Sequence, residues 1–561
     1  MSMTAALTES YGKGATDVPL IEQTIGDFFD DMVEKQPDRE ALISRHEGVR
    51  FTYRELQAES NKLASALLNL GLVAGDRVGI WSHNNAPWVL MQIATAKAGL
   101  VLVNINPAYR TSELEYALNK VGCKVLVTMA RFKTSDYLGM LRELGAKRLP
   151  QLQHIFWIDG KAAADAKEEP GMQRFSQLLA SGNAADPRVA QVQKTLKAPD
   201  PINIQFTSGT TGFPKGATLT HRNILNNGFF IGECMKLSPA DRLCIPVPLY
   251  HCFGMVLGNL ACLTHGSAIV YPNDGFDPLT VLETLQAEKC TGLHGVPTMF
   301  IAELDHPRFK EFDLSTLRTG IMAGSPCPIE VMKRVVNEMH LSEITIAYGM
   351  TETSPVSCQS STDTPLDKRV STVGTVQPHL EVKIVDPETG AIVPTGQSGE
   401  LCTRGYSVMH GYWEDEPKTR EAIDAEHWMH TGDLATMDAE GYVNIVGRIK
   451  DLVIRGGENI YPREIEEFLY RHPKVQDVQV VGLPDKKYGE ELCAWIIVKP
   501  GQSATDTEIR EFCKGQIAHY KVPRYIQFVT EFPMTVTGKI QKFKIREAMA
   551  EQLGLEQEKT A

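Results

Sequence analysis

A chain of 561 residues is too long for one hydrophobic core, so two or more domains are expected. With 43% hydrophobic and 22% charged residues it has an ordinary globular composition, and a formal net charge of −12 argues against nucleic acid as the main partner. Its 11 cysteines form no C-x-x-C pair and no zinc-type spacing, so a disulfide or metal framework is not expected and a reducing compartment fits best.

Taken in chain order, Met1 to Ala15 has neither an apolar core segment nor an arginine. A secretory or transit signal is therefore not expected there, and cytoplasm is the expected location. No apolar run reaches bilayer length. Tyr53 to Leu70 carries Leu56, Leu63, Ala66 and Leu67 at helical spacing and ends at Gly71. Arg77 to Trp81 predicts a strand, Pro87 to Ala98 a helix, Val101 to Ile105 a strand. Thr111 and Ser112 precede a helical stretch with Leu114, Ala117 and Leu118, and Lys124 to Val127 predicts a further strand. Strands alternating with helices imply a parallel sheet covered on both faces. Gly160 to Asp200, rich in Ala, Lys, Glu and Asp, predicts a solvated peripheral excursion. The alternation resumes at Ile202 and runs through Leu243 to Pro248, Ala268 to Tyr271 and Thr345 to Tyr348. Ser371 to Asn444, with glycine-rich turns and short strands, predicts a small β-subdomain. Beyond Arg448 the pattern is that of a compact α+β unit, with helices at Pro462 to Tyr470 and Asp506 to Gln516 and strands at Val475 to Gly482 and Glu491 to Val498.

The densest chemistry lies in Thr207-Ser208-Gly209-Thr210-Thr211-Gly212-Phe213-Pro214-Lys215-Gly216, directly after the alternation of Ile202, Ile204 and Phe206. Glycines let backbone N–H groups approach an anion, hydroxyls add donors, and the lysine adds a mobile positive charge. Lys215 follows Pro214 and precedes Gly216, which departs from the P-loop order of an ordinary ATPase or GTPase. Further candidates are Tyr348-Gly349-Met350-Thr351-Glu352-Thr353, His430-Thr431-Gly432-Asp433, Gly447-Arg448-Ile449-Lys450-Asp451 with Arg455-Gly456-Gly457-Glu458-Asn459, and Pro533-Met534-Thr535-Val536-Thr537-Gly538-Lys539.

In this order, these five motifs resemble those of the adenylate-forming superfamily, closest to its medium-chain fatty acyl-CoA synthetases. The resemblance covers nearly the whole chain. It implies an α/β fold with a large N-terminal domain of parallel-rich sheets and a small β-subdomain, residues 1–449. A small mobile α+β lid, residues 450–561, would follow, hinged at Lys450. It implies that ATP and a carboxylic acid form an acyl adenylate and pyrophosphate, and that coenzyme A then takes the acyl group. In this reading Thr207 to Gly212 and Lys215 hold the β- and γ-phosphates, Thr351 the α-phosphate, and Glu352 a magnesium ion, as a hard oxygen ligand suits. Tyr348, Gly349 and the Gly324-Ser325-Pro326 loop flank adenine. Asp433 accepts from both ribose hydroxyls, Arg448 reaches the ribose or phosphate side, and Lys539 contacts the α-phosphate and substrate carboxylate when the lid closes. After rotation, Gly456, Gly457 and Glu458 line the pantetheine tunnel. His251, within Pro248-Leu249-Tyr250-His251-Cys252-Phe253-Gly254, is placed near the substrate carboxylate, with Met255, Val256, Gly324 and Val356 lining the acyl pocket.

Those pocket candidates are apolar or small, which favours an aliphatic acid. The rivals are an aryl-CoA ligase, a stand-alone adenylating enzyme that loads a carrier protein, and a nucleotide-binding protein without chemistry. Dimers are common among such enzymes, so a homodimer is the quaternary state the resemblance suggests.

Overall fold

The computed structural model describes residues 6–160, 169–207, 214–455, 458–535 and 539–555. Local signals set the elements. Thr52 starts helix Tyr53–Asn69 with a capping box: its hydroxyl accepts from Glu55 N–H at 3.2 Å, and Glu55 Oε2 accepts from Thr52 N–H at 2.8 Å. Asn85 caps helix Ala86–Ala98, which Gly99 ends in the left-handed region.

That second helix is apolar on every side, the mark of an element buried all round, and it lies inside the main core. The core is sandwiched between two large sheets. An eight-stranded sheet has a parallel centre of His154–Ile158, Val125–Met129, Arg77–Trp81, Val101–Asn104 and Pro201–Thr207. Lys215–Thr220 and Gly411–Tyr412 extend it antiparallel. A nine-stranded sheet has a parallel centre of Glu343–Gly349, Thr319–Met322, Gly292–Gly295, Arg242–Cys244, Ala268–Tyr271 and Glu40–Ser44. Val78, Ile80 and Leu102 from the first sheet and Leu42, Leu243 and Ile269 from the second share one apolar cluster with the helices between them. Such two-sided burial explains why these strands read as continuous apolar runs.

A five-stranded antiparallel sheet forms the β-subdomain from Leu380–Val385, Gly399–Gly405, Met429–Met437 and Val443–Arg448, with Tyr11–Lys13 along one edge. After the short 3₁₀ turn Ile449–Asp451, a separate sheet carries Val475–Asp485, Gly489–Val498 and Tyr525–Phe528 over its own apolar cluster. All eleven cysteines are free thiols, and no described helix is long and apolar enough to cross a membrane.

One expectation is corrected. The stretch from Gly160 to Asp200 is no solvated excursion where it is described. Gln173–Arg174 pairs with the edge of the eight-stranded sheet, and helices Phe175–Ala180 and Pro187–Gln193 bury Phe175, Leu178 and Val189 in the main core. Phe175 and Leu178, one turn apart on one helix, and Val189 on the next anchor it, whatever the charge of its outer face.

Candidate functional site

Parallel strands surrounded by helices leave a crevice beyond their C-terminal ends, and the predicted residues gather there. Strand Pro201–Thr207 ends at Thr207, which lies opposite Lys215 on the returning strand; Thr207 Oγ1 donates to the Lys215 carbonyl at 3.4 Å. Ser208, Gly209, Thr210, Thr211 and Gly212 between them lie outside the described residues. Strand Thr319–Met322 leads into Gly324, Ser325 and Pro326; Gly324 has φ +89°, and a β-carbon there would stand 3.1 Å from Val296. Strand Glu343–Gly349 delivers Tyr348 and Gly349, and the 3₁₀ turn Thr351–Thr353 follows with Thr351 and Glu352.

The ribose side comes from the β-subdomain. Antiparallel pairing sets Asp433 opposite Arg448. Arg448 Nε is 3.4 Å from Asp433 Oδ1, and Tyr348 donates its hydroxyl to Oδ2 at 2.7 Å, so both carboxylate oxygens are oriented. Burial raises the Asp433 pKa, which Arg448 and the Tyr348 hydrogen bond oppose. Burial also raises the Tyr348 phenol, with Asp433 adding to it, so Tyr348 is a permanent donor.

Lys539 enters this cleft from the C-terminal unit. Water still reaches its side chain, but protein surrounds it closely enough that desolvation and the Arg448 charge lower its pKa, while Glu352 and Asp433 pull it up. Its charge also reaches His251, whose pKa is pushed down to about 3, chiefly by burial. The imidazole is therefore neutral near pH 7. Glu352 is 5% exposed, and its Oε1 accepts from the Tyr412 hydroxyl at 2.9 Å.

The acyl-side candidates meet in the main apolar cluster. Met255 and Val256 lie on a π-helix, Phe253–Leu260, and Val356 opens strand Val356–Gln359. π-Helical turns are rare and recur at functional sites. Asn104 and Gln205 each aim a side-chain amide at Met255 Sδ, both at 3.0 Å, and Asn227 holds both the N–H and the carbonyl of Val356.

Glu458 is exposed on the hairpin Val453–Arg455/Glu458–Ile460. Gly456 and Gly457 lie outside the described residues. Lys450 sits in the turn joining the two units, where desolvation and Arg448 lower its pKa.

Two supporting residues escaped the sequence reading. Tyr412 is one. Glu400 is the other: its Oε1 accepts from Gly432 N–H at 3.0 Å and its Oε2 faces His430 Nδ1 at 2.9 Å. With Thr431 Oγ1 bonded to the Leu401 carbonyl at 2.6 Å, this fixes the loop that aims Asp433. Gly399-Glu400-Leu401 occurs once and opens a β-strand, and no spacing in the sequence ties it to Gly432. Glu400→Ala should raise the KM for ATP about tenfold with a smaller change in kcat, because the half-buried Gly432 N–H loses a charged acceptor worth about 1.5–3 kcal/mol. Glu400→Gln should lose less, and an unchanged KM in both variants would refute the assignment.

Comparison with known proteins agrees with this geometry. The model of the AMP-binding enzyme family matches residues 29–413, and that of the AMP-binding enzyme C-terminal domain matches residues 464–539. The mitochondrial medium-chain acyl-CoA ligase ACSF2 of Danio rerio is 48% identical over 565 residues, covering 98% of this chain and 92% of its own. Among solved structures, the anthranilate CoA ligase AuaEII in complex with anthranoyl-AMP superposes with a TM-score of 0.86 at 28% identity, covering 96% of this chain and 99% of that one. ATP-bound MatB from Rhodopseudomonas palustris gives 0.81 at 28% identity, covering 94% and 99%. Family model, relatives and fold agree, and the chain belongs to the AMP-binding enzyme family.

Proposed function

We propose that this protein is an ATP-dependent acyl-CoA synthetase acting on a short- to medium-chain aliphatic acid. The observation that carries the reading is the position of Lys539, brought from the C-terminal unit into the field of Asp433, Glu352 and Arg448. That is the arrangement the adenylating step needs.

In that step a substrate carboxylate oxygen attacks the α-phosphorus of ATP, the bond from that phosphorus to the β-bridging oxygen breaks, and pyrophosphate leaves. No side chain need serve as nucleophile, so the work is positioning and charge stabilisation. Asp433 and Tyr348 hold the nucleoside, Thr351 and Lys539 face the α-phosphate, and Thr207 and Lys215 flank the loop for the departing phosphates. The chain then rotates at Lys450, with residues 1–449 and 450–561 as the moving parts, so that Gly456, Gly457 and Glu458 replace Lys539. The thiol sulfur of coenzyme A attacks the acyl carbonyl, AMP leaves, and the thiol proton is lost to solvent. The exposed Glu458 hairpin is compatible with a unit that presents another face in another step.

The residues fit a magnesium ion. Glu352 offers a buried hard oxygen donor, and the nearby soft ligand, Cys252, is committed to Gln205 Oε1 at 3.3 Å with its thiol pushed up to about 12. Bound there on the phosphates, magnesium would neutralise their charge.

An aliphatic acid is favoured by Met255, Val256 and Val356, and by the name of the zebrafish relative. The proposed location remains the cytoplasm, a reducing compartment that suits eleven free thiols. The test is pyrophosphate release over a panel of acids, from acetate through long-chain, branched, oxo and aromatic members, with and without coenzyme A. Turnover should peak with short- to medium-chain aliphatic acids and yield thioester only with coenzyme A. A peak with aromatic acids would favour an aryl-CoA ligase, and no AMP from any acid would end the proposal.

A further inference from the structure

Between the turn that carries Glu352 and the strand that carries Lys215 runs the segment Met409 to Trp413. Its backbone is tied to both. Met409 N–H donates to the Glu352 carbonyl at 2.8 Å, and His410 N–H donates to the Thr218 carbonyl at 2.9 Å. Trp413 N–H donates to the Gly216 carbonyl at 2.7 Å. Tyr412 pairs with Ala217 in the antiparallel register, and its own N–H donates to Thr419 Oγ1 at 2.9 Å. The side chain of Tyr412 is thus held from both ends, and it is 6% exposed.

It uses both of its faces on charged groups. The hydroxyl donates to Glu352 Oε1 at 2.9 Å, and the Lys215 ammonium stands 4.3 Å from the ring centroid. An ammonium over a ring face is attracted by its quadrupole. A tyrosine needed only for packing would have no reason to meet an acid with its tip and a cation with its face. Burial and Glu352 both raise the phenol pKa, so the hydroxyl remains a donor across the working pH range.

We infer that Tyr412 is a positioning residue that couples the two phosphate-handling groups, fixing the Glu352 carboxylate for the magnesium ion and the Lys215 ammonium for the departing phosphates. The inference rests on the nucleotide reading of Lys215 and Glu352 given above. Two functions reside in separable parts of one side chain, the oxygen and the ring.

ATP binding is therefore measured by calorimetry, with excess magnesium and with EDTA, on the full chain. Tyr412→Phe keeps the ring and the packing but removes the hydroxyl. It should leave metal-free ATP affinity within about twofold of the native protein, and should raise the magnesium concentration that half-restores tight binding by about 10–100-fold, the usual cost of losing a partner of a metal-ligating group. Tyr412→Leu removes the ring too, and should weaken metal-free ATP binding by roughly 2–30-fold, the range of a cation–π contact. Restoration of metal-free binding by Phe relative to Leu is a pattern that a loss of packing alone does not give in the magnesium titration. If Tyr412→Phe has native magnesium dependence, or weakens metal-free binding as much as Leu, the inference fails. Should Leu not fold, the Phe arm alone decides. If the native protein binds ATP without regard to magnesium, the nucleotide reading of Glu352 fails instead.

Discussion

Lys539→Ala is expected to slow acyl-adenylate formation by about 10²–10³-fold, the cost of removing one preorganised donor from developing negative charge. The same variant should convert supplied acyl adenylate and coenzyme A to thioester at a rate within a few-fold of native. The asymmetry follows from where the lysine comes from. It is part of the C-terminal unit, in which Thr535 N–H donates to the Lys539 carbonyl at 2.7 Å, and it lies within the electrostatic reach of Asp433 and Glu352. Those two acids pull its pKa up against the depression caused by desolvation and Arg448, so they help to keep the ammonium charged while ATP arrives. In the proposed two-step scheme the lysine has no remaining bond to stabilise once adenylate exists. Separate measurement of pyrophosphate release and of thioester formation settles the point. Equal losses in both would argue that Lys539 merely holds the two units together.

Gly349→Ala should be comparably damaging for a different reason. A β-carbon at this position would lie 1.6 Å from the carbonyl oxygen of Pro355 and 2.6 Å from its carbon. Both are backbone atoms, so no side chain can swing aside. Gly349 pairs with Val356, and Met350 N–H donates to that same Pro355 carbonyl at 3.0 Å, so relief requires opening the turn between the two strands. Overpacking typically costs about 1–3 kcal/mol, and this case belongs at the upper end. The turn being opened is the one that carries Thr351 and Glu352. A displacement of about 1 Å at positioned groups costs about 10²-fold in rate. The variant should therefore unfold several degrees lower and lose adenylation at least 100-fold even while folded, as thermal scans and pyrophosphate release would record. Native values of both would mean the loop is looser than drawn.

Much of this was legible in the sequence because it is written in local pattern. The alternation around Arg77 to Trp81 gives a strand with those same ends, and the change of texture after Ser371 corresponds to the β-subdomain. Tyr348, Asp433 and Arg448 were singled out by short motifs, and they do converge. What was not legible depends on long-range contact. Tyr412 meets Glu352 across 60 positions, and the Glu400 bond to Gly432 spans 32, with no spacing rule to connect either pair. Apart from Asn259, the run Phe253 to Leu260 is apolar or glycine, so it has no periodicity from which a π-helix could be read. Neighbours approach its glycines closely: a β-carbon on Gly254 would meet the Pro248 carbonyl oxygen at 2.5 Å, and one on Gly258 would meet Ile245 at 2.7 Å. The stretch around Phe175 misled because average polarity hides a few anchoring side chains.

The edge strand Tyr11–Lys13 completes a sheet whose next member is Leu380–Val385, and the Tyr11 hydroxyl bonds to Glu381, 370 positions away. A ribosome adding about 5–20 residues per second needs roughly 20–75 s to cover the 370 positions between these partners. Until then Tyr11–Lys13 lacks the strand it pairs with. The pairing that seals this edge of the β-subdomain is therefore among the most sequence-distant in the fold, and loop-closure entropy weighs on it more than on the hairpins beside it.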